Sequence, residues 1–127
     1  MPNKFTFEFA IIRLVPKVER GEFINVGVIL FSKHKKYLGI KYKIDKKRLA
    51  AFSSEIDVAL IEDYLKSWTL ICAGEPHGGA IGKLELAYRF RWLTAARSTI
   101  IQSSNTHPGF SHDPEKELED TFRRYVL

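Results

Sequence analysis

The polar side chains that interrupt an apolar stretch near the N-terminus have the types and spacing that could support chemistry. They are Arg13, Glu19, Arg20, Glu22 and Asn25. Arginine binds carboxylate and phosphate groups through paired hydrogen bonds, and a neighbouring glutamate can act as a general acid or base. An amide within an apolar face needs hydrogen-bond partners. The residues therefore predict either a pocket for an anionic ligand or a buried polar cluster that fixes the turn of the chain, and we favour the cluster.

The segments on both sides of this polar corner have the patterns of buried strands. Residues 5–15 alternate with a period of two and are apolar on both faces until Pro16, which ends the strand because it lacks an N–H group. Residues 22–32 are likewise apolar on both faces, with 23, 25, 27, 29 and 31 on one side and the even positions on the other. Gly27 predicts a bulge, or a close approach to the backbone.

Positive charge is concentrated in one segment of the chain. Eight basic residues lie between positions 33 and 48: Lys33, Lys35, Lys36, Lys41, Lys43, Lys46, Lys47 and Arg48. With Asp45 as the only acidic residue there, the segment has a net charge of +7, which leaves −2 of the total of +5 for the rest of the chain. Alternation over residues 37–44 predicts a half-exposed strand, so the segment is a basic hairpin. Its lysines either protect a sheet edge and keep the protein soluble or contact nucleic-acid phosphates, and we favour the first interpretation.

Spacing and capping residues predict the rest of the secondary structure. We expect helices over residues 46–52, from Ser53 or Ser54 to about Cys72, over 84–96 and from Asp113 onward, a strand over 98–102, and loops over 74–82 and 103–112.

Three arginines, Arg89, Arg91 and Arg97, lie close to aromatic residues in and after the helix over residues 84–96. They either hold an acidic or phosphorylated ligand or form surface salt bridges, and Arg91 and Arg97 are the candidates for binding. If the strand over 98–102 pairs with the first strands, Arg97 comes near the corner that contains Asn25. The helix itself shows an apolar stripe at Leu84, Tyr88 and Trp92, which indicates core packing.

The residues that could bind metals or react as nucleophiles form no convincing set. Cys72 is the only cysteine, lies with Trp68 on the apolar face of a predicted helix and is expected to be a packing residue. His107, His112 and Asp113 lack a nearby third strong ligand and helical spacing between the histidines. We therefore expect no metal site and no cofactor.

Three segments together resemble the bacterial domain-of-unknown-function 3037 family. They are VPKVERGEFINVGVILF, FRWLTAARSTIIQSS and HPGFSHDPEKELEDTF, and the resemblance covers nearly the whole chain in order. It implies a small, stand-alone bacterial protein whose family members tend to be encoded beside a HipA-like kinase, so such a kinase is the expected partner. It transfers no catalytic residue, because the family has none assigned.

These observations predict one domain over residues 1–127 with an α+β fold, in which an antiparallel sheet of about four strands has helices packed on one face. We find no membrane-spanning run and no signal-peptide pattern, so we expect a cytoplasmic protein without a membrane partner. The first functional hypothesis is a non-enzymatic interaction or regulatory module acting with a HipA-like kinase. The alternatives are a nucleic-acid-binding protein using the basic hairpin, and a small enzyme with an anionic-ligand pocket around Arg20 and Asn25.

Overall fold

The computed structural model describes residues 4–74 and 77–127, so residues 1–3 of the N-terminal segment and Glu75 and Pro76 of the predicted loop lie outside it. The described elements, in chain order, are β1 (Phe5–Leu14), a 3-10 turn (Val18–Arg20), β2 (Ile24–Ser32), β3 (Tyr37–Tyr42), α1 (Lys46–Phe52), α2 (Val58–Ala73), α3 (Gly79–Gly82), α4 (Leu86–Thr94), β4 (Ile101–Ser103), β5 (His107–Ser111) and α5 (Pro114–Tyr125). The predicted α+β class with an antiparallel sheet is confirmed.

The central strand of the sheet is β1, which pairs with β2 along one edge and with two short strands along the other. β4 pairs with the C-terminal part of β1, and β5 pairs with its N-terminal part. Between them, the Ser104 N–H donates to the Ile11 carbonyl and the Ser104 hydroxyl accepts from the Ile11 N–H, both at 2.8 Å. The prediction of a loop over residues 103–112 was wrong, because pairing with a distant strand makes β5 from a segment that has little strand character of its own.

Helices cover both faces of the sheet, whereas we expected them on one. Alternate residues of β2 separate two apolar clusters. Ile29 and Phe31 pack with α2 and α4, whereas Val28 and Leu30 pack with α5. A strand that is apolar on both faces needs a covering layer on each side, and the amphipathic α5 supplies the second layer.

A bulge in β2 changes which residues share a face. Ile12 lies opposite Gly27 and Arg13 opposite Asn25, so Val26 is an extra residue on β2. Ile24 and Val26 consequently join Ile29 and Phe31 in the α2 and α4 cluster. The predicted bulge is confirmed, but the predicted grouping of the β2 side chains was wrong because it assumed an unbroken alternation.

The helix starts follow local capping chemistry. Asp45 caps α1 by accepting from the Arg48 N–H, and Asp113 caps α5 ahead of Pro114, as predicted. α2 begins at Val58 rather than near Ser53, because the Asp57 carboxylate accepts from the Leu60 N–H. Among the helices in the described ranges, none has the length and apolar character needed to cross a membrane.

Substitution of Gly27 tests the close contact between β2 and β3. A Cβ atom there would lie 2.7 Å from the Lys41 carbonyl oxygen and 2.8 Å from the Tyr42 Cβ, so Gly27→Ala must separate the two strands. We expect it to lower the free energy of unfolding by about 1–3 kcal/mol, as overpacking does, in urea denaturation. Gly21→Ala is the control, since Gly21 has a φ of +72° but no atom within 4 Å of a new Cβ. A smaller loss at Gly27 than at Gly21 would contradict the packing argument.

Candidate functional site

The residues of the predicted polar corner lie in two separate places in the structure. Arg20 and Glu22 form an exposed ion pair, with 2.9 Å between Arg20 Nε and Glu22 Oε1, at the edge of a cavity of about 420 Å³ between the 3-10 turn and the C-terminal end of α1. Lys17 and Glu55 form a second pair across the same cavity at 3.3 Å. Glu19 is exposed and does not line the cavity. Each positive group there is already paired with a carboxylate, so the cavity has no surplus charge to hold an anion.

Arg13 and Asn25 lie opposite each other on β1 and β2, away from that cavity. Asn25 Nδ2 donates to the Tyr125 carbonyl at 3.1 Å, and the Arg13 guanidinium lies 4.2 Å from the centre of the Phe23 ring. Arg13 Nε and Asn25 Oδ1 are buried, and neither bonds to another described protein atom. The contact of Asn25 attaches the end of α5 to the sheet, but the single buried polar cluster that we favoured does not form, because Glu19, Arg20 and Glu22 are exposed.

The expected approach of Arg97 to Asn25 was wrong. β4 does pair with β1, and Gln102 lies opposite Arg13. Arg97, however, lies against Trp68 of the α2 and α4 cluster, whereas Asn25 contacts the end of α5 on the other face of the sheet. The Arg97 guanidinium lies 5.2 Å from the Trp68 ring centre and 4.7 Å from the Trp92 ring centre. The enzyme hypothesis combined Arg20, Asn25 and Arg97 in one pocket, and the fold separates them.

Arg91 forms a surface ion pair instead of joining a binding pocket. Its two terminal nitrogens donate to the two carboxylate oxygens of Glu8 at 3.1 and 2.7 Å. This paired geometry connects α4 to β1. The salt-bridge alternative for Arg91 is therefore the one that the structure supports.

The basic segment over residues 33–48 does not form one continuous basic surface. Lys41 binds both carboxylate oxygens of Glu119 on α5, at 2.7 and 2.6 Å, and Arg48 donates to the Val126 carbonyl at 2.9 Å. Lys33, Lys35 and Lys36 are exposed on the turn between β2 and β3, and within the described residues none of the three forms an ion pair.

The remaining lysines of the segment lie beyond that turn. Lys43, which follows β3, and Lys46 and Lys47, in the first turn of α1, are also exposed. The β2–β3 turn is distinguished from them only by having three exposed lysines within four residues.

Aromatic side chains between α2 and α4 form a groove that the sequence did not reveal. We name it the α2–α4 groove, and it is a shallow cavity of about 300 Å³ lined by Leu60, Asp63, Tyr64, Ser67, Trp68 and Trp92. Trp68 is buried at its base, whereas Leu60 is 47% exposed and Trp92 is 39% exposed at its walls. Arg97 is not a lining residue, but its guanidinium lies against both tryptophans.

The groove was missed because the stripe on α4 was assigned to the core. Leu84, Tyr88 and Trp92 are exposed, and Phe90 and Leu93 are the buried side chains of α4. A signal was present in the sequence, since this helix has apolar residues in excess of those needed for one buried face. Of this stripe only Trp92 lines the groove, so the exposed Trp92, rather than the whole stripe, is the signal for an interaction surface.

The arrangement of Cys72 makes it a packing residue, as predicted. Its side chain is buried in the α2 and α4 cluster, and burial raises the pKa of the thiol to about 12 against the weaker opposing effect of Arg89. Across residues 4–74 and 77–127, no group of three or more histidine, cysteine, aspartate and glutamate side chains could hold a metal ion.

The family model described as "Protein of unknown function (DUF3037)" matches residues 9–126. The chain belongs to the DUF3037 family. No curated protein and no solved structure matches it. The DUF3037 match spans both faces of the sheet, from β1 to the end of α5.

The buried thiol predicts a specific dependence on pH. A thiol with a pKa of about 12 in the folded protein, against 9.0 in its usual state, is protonated when folded but ionises in the unfolded chain at high pH. Its contribution to stability is therefore fully present below pH 9 and is lost as the pH rises towards 12. We expect Cys72→Ala to reduce the decline of unfolding free energy over this interval, measured by urea denaturation.

Thiol reactivity gives an independent check of the same burial. At pH 8, a disulfide reagent such as dithionitrobenzoate should not modify Cys72 in the folded protein and should modify it at once in urea. Burial, and to a smaller extent Glu115, raises the pKa of Tyr37. Tyr37 is present in both the wild-type protein and Cys72→Ala, so its ionisation affects the stability of both at high pH. Rapid labelling of folded protein, or equal alkaline slopes, would contradict the assignment.

Proposed function

We propose that this protein is a non-enzymatic interaction module that binds a partner protein through the α2–α4 groove. The observation that carries the proposal is the pair Trp68 and Trp92, which line a groove with exposed apolar walls and against which the Arg97 guanidinium lies. Tryptophan, tyrosine and arginine are the residues that dominate binding energy in protein interfaces. Tyr64 also lines the groove, so tryptophan and tyrosine occur in it together, with Arg97 against the two tryptophans.

The shape and the rigid base of the groove support binding of a polypeptide rather than of a small molecule. It is shallow and open, whereas small-molecule sites are concave and enclose most of the ligand. Its base is rigid, because Trp68 is 2% exposed and packs in the core between α2 and the sheet. An exposed rim around a buried aromatic base is the arrangement that places a hot spot at the centre of an interface.

A HipA-like kinase is the first partner to test. Members of this family tend to be encoded beside such a kinase, and proteins encoded together often act together in the bacterial cytoplasm. The proposed role is regulatory, because the described residues bring no catalytic set together in the groove. A bound partner would cover Leu60 and Trp92 and leave the Arg20–Glu22 cavity open, since that cavity lies against α1.

Two matched substitutions test the docking surface. Leu60 and Tyr88 each occupy the third position of a helix, after the N-caps Asp57 and Glu85, so a new carboxylate is compatible with the helix dipole at both. Leu60 lines the groove, and Tyr88 is exposed outside it. We expect Leu60→Asp to reduce recovery of the partner about tenfold, the loss typical of a central interface residue, and Tyr88→Asp to leave recovery unchanged.

The measurement is purification of tagged wild-type and variant proteins from native cells after nuclease treatment, with quantitative mass spectrometry of the co-purifying proteins. A HipA-like kinase that is retained by Tyr88→Asp and lost by Leu60→Asp would support both the groove and the partner. A stoichiometric partner that Leu60→Asp retains would place the docking surface elsewhere.

A second candidate function is nucleic-acid binding through the β2–β3 turn. The observation that favours it is the group of three exposed lysines, Lys33, Lys35 and Lys36, within four residues of a tight turn. Lysines presented together in this way contact phosphates without reading sequence. Lys41 contributes less, because Glu119 already holds it.

Charge reversal on the turn tests this second function. We expect Lys33→Glu/Lys35→Glu/Lys36→Glu to abolish retention of a labelled single-stranded oligonucleotide at low salt. For wild type, the dependence of log affinity on log salt should have a slope of about −2, from roughly 0.7 per phosphate contact. Lys66→Glu/Lys83→Glu/Lys116→Glu is the control, since it makes the same change of net charge at exposed lysines elsewhere. Equal loss in both triple variants would indicate only a general charge effect.

A further inference from the structure

We propose that the α2–α4 groove recognises a polypeptide segment that carries a carboxylate next to a large apolar side chain, and that Arg97 pairs with the carboxylate. This inference rests on the proposed interaction function and specifies the chemistry of the partner. The apolar side chain would contact Tyr64, Trp68 and Trp92, and the carboxylate would lie beside the Arg97 guanidinium, which adjoins the two tryptophans.

The first argument is the unused hydrogen-bonding capacity of Arg97. One of its terminal nitrogens donates to the Trp92 carbonyl, which fixes the side chain over α4. Four ion pairs occur within the described residues, and none includes Arg97. A guanidinium has five N–H donors in a planar fork that matches a carboxylate, so most of this fork is available to a ligand.

The second argument is the environment of the guanidinium. It lies within cation–π distance of two indole rings, at 5.2 and 4.7 Å from their centres, and is half-buried. Loss of hydration lowers the pKa of Arg97 from its usual value, with Tyr64 opposing the change. A partly dehydrated cation gains more from a carboxylate than a fully hydrated one does, because the local dielectric is lower.

The third argument is the polarity along the groove. Asp63 and Ser67 lie on the exposed side of α2, and Asp63 forms no ion pair with Arg97. Asp63 repels a second carboxylate, so an acidic ligand is favoured only near Arg97. The segment that fits is therefore an apolar one with a single carboxylate at one end and a neutral or basic residue beside Asp63, and not a polyacidic chain.

The carboxylate has two possible sources, an aspartate or glutamate side chain and the C-terminus of a polypeptide. Both present the same two oxygen atoms to a guanidinium. Peptides with a free or an amidated C-terminus distinguish the two sources, because amidation removes only the C-terminal carboxylate.

The probe is a phage-displayed library of random 12-residue peptides, selected on immobilised wild-type protein and counter-selected on Leu60→Asp. Enriched peptides are then synthesised and titrated into ¹⁵N-labelled protein. The chain has two tryptophans, and both line the groove, so the two indole N–H signals report occupancy directly. We expect enriched peptides to contain one carboxylate within a few residues of Leu, Phe or Trp and to shift both indole signals.

Removal of the charge from the peptide or from the protein should weaken binding by the same factor. Replacement of the peptide carboxylate by its amide, and Arg97→Gln in the protein, should each weaken binding about tenfold, which is the usual size of a hydrogen-bonded ion pair. The two changes together should cost little more than either alone, because they remove one shared interaction. Arg97→Lys should recover part of the affinity, since lysine keeps the charge but not the fork.

Arg91→Gln is the matched control, because Arg91 is an arginine of the same region that pairs with Glu8 outside the groove. It should leave peptide affinity unchanged. The peptide amides test the proposal without any change to the protein, so they remain decisive if Arg97→Gln disturbs the fold.

Two results would overturn the inference in different ways. Peptides that shift both indole signals but bind equally well as acid and amide would refute the carboxylate while the interaction function stands. If no peptide is enriched over the Leu60→Asp counter-selection, or enriched peptides leave both indole signals unmoved, the groove is not a docking surface, and the proposed function fails with the inference.

Discussion

Two adjacent strands that are apolar on both faces are the constraint on which the rest of this structure depends. β1 and β2 bury nearly every side chain along their common length, from Ala10 and Ile12 on one strand to Val28, Ile29 and Leu30 on the other. Burial of this kind is possible only if each face of the sheet is covered. α2 and α4 cover one face and α5 covers the other, so the chain must return across the sheet after α4. β4, Ser104 and β5 make that return while they complete the hydrogen bonds of β1.

The bulge at Val26 determines where the polar residues of the corner end up. An extra residue on β2 turns Asn25 towards α5 and allows Ile24 and Val26 to join the opposite core. Gly27, next to the bulge, lets β3 approach closer than any side chain would permit. One local change in register thus separates Asn25 from Arg20, although the two are only five residues apart, and divides a predicted pocket into a structural contact and a solvent-exposed cavity.

Features that depend on neighbouring residues could be predicted from the sequence, and features that depend on distant residues could not. Asp45 and Asp113 cap helices because each accepts from N–H groups two or three residues ahead. Gly27 predicted a bulge, but its consequence, that Ile24 and Val26 join the α2 and α4 cluster, involves residues that are distant in the sequence. The ion pair between Lys41 and Glu119 joins residues 78 positions apart, and no local pattern in the basic segment indicates that α5 neutralises its central lysine.

The face of α4 illustrates a further limit. Leu84, Tyr88 and Trp92 have the same spacing as a core stripe, and a period of 3.6 residues identifies a shared face without saying what that face contacts. Phe90 and Leu93 occupy the core because the short α4 packs against β2 through these two side chains, and the Phe90 ring stacks on the Phe31 ring. The choice between two apolar stripes is made by the space available beside the sheet, which only the complete fold defines.

The two candidate binding surfaces differ in how much order they already have. Arg97 is held by two indole rings and by a hydrogen bond to the Trp92 carbonyl, so little side-chain entropy remains to be lost when a ligand binds it. Lys33 and Lys36 extend from a turn into solvent and would lose most of their rotamer freedom on contact. Preorganisation favours specific recognition, whereas mobile charge favours long-range attraction that salt weakens. Preorganisation is for this reason an argument for the α2–α4 groove as the proposed surface for a defined partner, with the lysine turn as a surface that would guide an acidic partner towards the protein.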